Sequence, residues 1–98
     1  MIPASVKIGQ TTYKVEVLDH IQKNYLGYID YNKKTIQVAK YRFDDTEVSP
    51  KDLEHAFWHE VTHGILKDMN HKLESNESFV DSFSLRTTQI LRSMRGEK

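Results

Sequence analysis

The run His59-Glu60-Val61-Thr62-His63 carries two imidazoles four residues apart, with a carboxylate directly after the first. On an α-helix this spacing puts His59 and His63 on one face, about 6 Å apart along the axis, so both rings can turn toward one cation. Glu60 is rotated about 100° from His59, beside such a cation rather than on it. Neutral imidazole suits Zn2+, and a catalytic zinc site keeps one position for water, whose pKa falls to about 7 on the metal. Glu60 would then act as general base on that water.

A third protein ligand is expected in Asn76-Glu77-Ser78-Phe79-Val80-Asp81, which opens a second helix. Glu77 in its first turn is the expected metal ligand. Asp81, one turn later on the same face, is the expected outer carboxylate that accepts a ligand histidine's spare ring N–H. The bland alternative is that Glu74, Glu77 and Asp81 only complement the positive end of a helix. His55 sits one turn before His59, but three successive histidines at this spacing diverge by about 80° and cannot close evenly on one ion. His55 is therefore expected at the rim of a cleft, and His20, with no partner at ligand spacing, in solvent.

The H-E-x-x-H run with Asn76, Glu77 and Asp81 resembles the pattern of the gluzincin metallopeptidases. Within that group the chain is most similar to the small ImmA/IrrE-type proteins of bacteria, phages and mobile elements. The resemblance spans roughly Tyr25 to Leu91, and thirteen residues separate His63 from Glu77, which implies a minimal scaffold. It implies a zincin-like fold, Zn2+ as cofactor, a peptide or protein as substrate, and an edge strand beside the metal that pairs with extended substrate. For the oxyanion of such a hydrolysis the sequence offers His71, Tyr25, Tyr28 or Tyr41 as donor. The alternative is a binding or regulatory module in which the zinc is structural or vestigial.

Ninety-eight residues accommodate one domain with a single core. Fourteen basic and fourteen acidic residues cancel, so no global field draws the chain to nucleic acid or an anionic membrane. Arg86, Arg92, Arg95 and Lys98 gather near the carboxyl end, where cations suit a helix dipole, without a nucleic-acid recognition motif. With no cysteine, the metal site is restricted to histidine and carboxylate. No apolar run reaches the 18 residues of a membrane helix and residues 1–7 hold no signal-type core, giving the expectation of a cytoplasmic protein.

These residues need a scaffold, and the pattern predicts an α+β fold. Val6-Lys7-Ile8 and Thr12 to Val17 alternate around a Gly9-Gln10 turn, the signature of a β-hairpin. Leu18 to Asn24 reads as a crossing. Tyr25 to Asp30 and Thr35 to Ala39 flank polar turn residues 31–34 and form a second hairpin. The expected sheet is small, three- to four-stranded and mostly antiparallel. Tyr41 to Val48 is an exposed connection whose carboxylates serve solvation. Ser49-Pro50-Lys51-Asp52 has the form of a helix start and Asn70 of its stop. On this helix Leu53, Phe57, Val61, Gly64 and Ile65 fall opposite the histidines, and Gly64 implies close packing. On the second helix Phe79, Val80, Phe83, Thr87, Ile90, Leu91 and Met94 form an apolar stripe, expected to be core.

Overall fold

The computed structural model describes residues 2–97; Lys98, counted in the cationic group, lies outside them. Four strands, β1 (Ser5–Ile8), β2 (Thr11–Leu18), β3 (Gly27–Asp30) and β4 (Thr35–Ala39), precede two helices, α1 (Pro50–Asp68) and α2 (Glu77–Met94). Short 3₁₀ turns at Gln22–Asn24 and Lys72–Ser75 complete the elements.

Local chemistry accounts for the joins. Gly9 takes φ +60° between β1 and β2, a conformation open to glycine at little cost, and leaves Ile8 paired with Thr11. Asp30 Oδ1 accepts the N–H groups of Asn32 and Lys33 at 2.9 and 2.8 Å, closing the β3–β4 turn. Ser49 Oγ accepts the Asp52 N–H at 3.1 Å to start α1, with Pro50 at the first helical position. Asn76 Oδ1 does the same for the Phe79 N–H at 3.0 Å at the head of α2.

The two expected hairpins form, but the sheet they build is mixed. Its order is β1-β2-β4-β3, and the central β2–β4 pairing is parallel, with Val15 opposite Ile36. The crossing after β2 carries the chain past β4's position, so β3 becomes the outer strand and β4 returns between it and β2. Alternation then sorts the faces: Tyr13, Val15, Ile36 and Val38 are buried, while Lys14 is exposed and Thr35 and Gln37 are half-covered. Phe57 and Val61 of α1 join Ile8, Ile29 and that buried face in one core.

Gly64 lets α1 approach the sheet, since a Cβ there would lie 2.8 Å from Ile8 Cδ1 and 3.1 Å from Ile29 Cδ1. Ile65, expected to share the buried face, is instead exposed. The second helix departs further from expectation. It packs on α1 and the 3₁₀ turn before it and makes no close approach to the sheet. Its fully buried residues are therefore Val80, Ser84 and Thr88, small side chains that suit helix-on-helix contact, whereas Phe83, Ile90 and Met94 face solvent. Of the expected stripe, Val80 is core and Phe79, Thr87 and Leu91 are half-covered, while Phe83, Ile90 and Met94 are left out because no second layer covers them.

Among the described residues no helix is long and apolar enough to cross a membrane.

The crowding at Gly64 gives a test. Gly64→Ala gains up to about 1 kcal/mol of helix propensity, but overpacking costs roughly 1–3 kcal/mol, so a net loss is expected in thermal unfolding. Adding Ile8→Val removes the colliding methyl and should recover part of that loss, a coupling that the double variant measures directly.

Candidate metal centre

One turn of α1 and the first turn of α2 converge. Glu77 Oε1 lies 3.0 Å from His59 Nε2, and Glu77 Oε2 lies 3.1 Å from His63 Nε2. One ligand atom from each of the three residues falls within 4.8 Å of the others. Tetrahedral Zn2+ with bonds of 2.0–2.1 Å separates its donors by roughly 3.3–3.5 Å, so the spacing fits a cation after small adjustment.

The outer ring nitrogens strengthen the fit. His63 Nδ1 lies 2.8 Å from the Glu74 backbone carbonyl, which can only accept, so Nδ1 carries a proton. His59 Nδ1 lies 3.3 Å from Asp81 Oδ1, again an acceptor when ionised. In their neutral forms both rings thus present Nε2 lone pairs to the same carboxylate. Two acceptors facing each other at 3 Å repel unless a second ring proton or a cation lies between them. With Glu60, Glu74 and Asp81 also lining this cleft, a cation held between these groups would offset the accumulated negative charge.

Glu60 lies beside these three residues and is buried, at 8% exposure. Burial raises its pKa above the usual glutamate range; His59 and His63 oppose that rise, Glu77 adds to it, and a backbone hydrogen bond at Ile29 counters it. The net effect is upward, so Glu60 is a stronger base than an exposed glutamate. Gly27 of β3 makes room for it, since a Cβ there would lie 3.0 Å from Glu60 Cγ and 3.1 Å from Ala56 O. Glycine in β3 therefore follows from the close approach of this strand to the carboxylate.

A cleft of about 840 Å³ runs past these groups, bounded by residues 25–29 and Tyr31 on the sheet side and by His55, Ala56, His59, Glu60 and His63 on α1. Of the oxyanion donors suggested by sequence, Tyr25 and Tyr28 line it, with rings stacked 6.2 Å apart, whereas Tyr41 is not among the lining residues. His71 is not brought there either: its Nδ1 accepts the Leu73 N–H at 3.1 Å, which commits the ring to the 3₁₀ turn. His55 does line the cleft, its Nε2 lying 3.4 Å from Asp81 Oδ1. The grouping of His55, His59 and Asp81 shares His59 with the first cluster, so Asp81 and His55 form its outer layer. His20 is exposed and 3.0 Å from Asp45.

Glu74 and Tyr31 were not legible as site residues. Glu74 precedes the expected helix and Tyr31 sits in a turn, and neither position has a spacing signal toward the histidines. Two of the carboxyl-terminal cations are also committed: Arg92 and Arg95 pair with buried Glu54 at 3.7 and 3.1 Å, and Arg95 also with Glu97 at 2.7 Å.

Comparison with known protein families, with characterised proteins and with solved structures found no match to this chain.

The three-residue clamp predicts one tightly held zinc per chain. Glu77→Ala and His63→Ala should each weaken zinc by more than the 10–100-fold typical of removing an outer partner, as measured by competition with a chromophoric chelator.

Proposed function

We propose that this chain is a zinc-dependent peptidase of gluzincin type, with a zincin-like fold, in which His59, His63 and Glu77 hold the metal and Glu60 is the general base. The observation that carries this reading is the convergence of both Nε2 atoms on Glu77, at 3.0 and 3.1 Å, with buried Glu60 alongside. When bound there, zinc supplies Lewis acidity, easing the deprotonation of water and polarising a carbonyl.

The residues of the chain do the rest. Glu60 accepts the proton of the attacking water and returns it to the departing amine, a shuttle suited to a carboxylate whose pKa is pushed up by burial. Substrate is held by β3. The Ala39 N–H donates to the Leu26 carbonyl, so antiparallel alternation turns the backbone polar groups of Gly27 and Ile29 away from β4. The Ile29 N–H is turned to Glu60, and the Gly27 N–H and the Gly27 and Ile29 carbonyls border the cleft and offer hydrogen bonds to an extended peptide, which would add as a further strand whatever its sequence. Tyr25, just before that strand, and Tyr28, within it, offer aromatic surface for the substrate's side chains.

Glu60→Gln keeps the size of the side chain but removes its basicity. It should bind zinc as the native chain does while peptide turnover falls by about 10²–10⁴-fold, read on a mixed peptide library by mass spectrometry. Native protein that binds zinc yet cleaves nothing, and retains a peptide partner equally well in Glu60→Gln, would replace this reading with that of a binding module.

A further inference from the structure

Resting on the metal-clamp reading above, we infer that Tyr31 is a positioning residue: through the Glu74 carboxylate it holds His63 in its ligating orientation and ties the clamp to the substrate-bearing edge of the sheet. The Tyr31 hydroxyl donates to Glu74 Oε2 at 2.8 Å. The same Oε2 lies 3.4 Å from His63 Nδ1, and the Glu74 backbone carbonyl accepts from that nitrogen at 2.8 Å. A phenol in the turn directly after β3 is thus two contacts away from a metal-binding imidazole on α1.

The arrangement explains what holds Glu74. Its residue belongs to a 3₁₀ turn of four residues, too short to be rigid alone, and the backbone neighbours of that turn are α1 and α2. Tyr31 provides its side-chain hydrogen bond to the sheet. The phenol remains a donor, because burial and the adjacent Glu74 carboxylate raise its pKa well above the ordinary tyrosine value. Its ring is fixed from the other side by Lys67 of α1, whose Nζ sits 5.4 Å from the ring centroid. Without the hydroxyl, Glu74 Oε2 loses its partner and the carboxylate, already 31% exposed, is free to turn to solvent. His63 then keeps a single outer acceptor on a less restrained turn.

Tyr31→Phe removes the hydroxyl alone and leaves ring packing and the Lys67 contact in place. In chelator competition on the full chain it should weaken zinc by about 10-fold, with an unchanged far-UV circular dichroism spectrum. Glu74→Gln should give a similar loss, and the double variant should be no weaker than the weaker single, since both act through one link. The His63 Nδ1–H resonance, seen by ¹⁵N-edited NMR in the zinc-loaded native chain, should broaden by faster exchange in Tyr31→Phe. Native zinc affinity in Tyr31→Phe, or losses that add in the double variant, would overturn the inference while leaving the clamp standing. Failure of the native chain to bind zinc would remove both.

Discussion

A backbone carbonyl cannot donate, and the arrangement of the site follows from that constraint acting at Glu74. By accepting from His63 Nδ1 it places the ring proton on the outside and the lone pair of the neutral ring toward Glu77. Asp81 imposes the same polarity on His59. The inner surface of the clamp is therefore made of acceptors, and carboxylates from two helices and a 3₁₀ turn crowd around three histidines. Of this cluster Glu60 and His63 are buried, and Glu77 and Asp81 stay largely in solvent. It lies at a cleft wall, where solvent reaches Glu77 while His63 is nearly covered, so the cluster is open on one side and restrained on the other.

The fold serves this cluster by making α1 work on two faces. Phe57, Val61 and Gly64 press on the sheet, and His59 and His63 emerge toward α2. Two glycines set the distances. Gly64 brings the helix onto Ile8 and Ile29, and Gly27 thins β3 where Glu60 must pass. A helix positioned through its apolar face fixes its histidine-bearing face as well, since the two are parts of one rigid cylinder. The carboxylate of Glu77 comes from the next element, whose placement depends on small buried residues, Val80, Ser84 and Thr88, that allow α2 to lie close along α1.

Much of this was readable in the residues. The H-E-x-x-H spacing and the acidic turn at Glu77 and Asp81 are local patterns, and the structure gathers these four side chains as their helical periods require. Both hairpins follow from alternation and turn chemistry. What could not be read depends on which elements meet. The parallel β2–β4 pairing leaves no periodic mark, because a strand alternates alike whichever neighbour it takes. The stripe of Phe83, Ile90 and Met94 has helical period, yet period says only that residues share a face, not that another layer lies against it. Glu74 and Tyr31 meet across 43 positions of sequence, beyond any local rule.

The parallel junction at the centre of the sheet also bears on how the molecule assembles. Antiparallel hairpins close locally within microseconds, whereas β4 can sit beside β2 only after the intervening chain has gone out and returned as β3. The kinetic order that follows is two independent hairpins first, their sideways merger second, and the docking of α1 onto the joined surface third. Ile29 and Ile36 come from one hairpin and Ile8 and Val15 from the other, so a nucleus containing α1 is complete only once both are present. The cluster of histidines and carboxylates would then mature among the last parts of the molecule, after the slow step rather than before it.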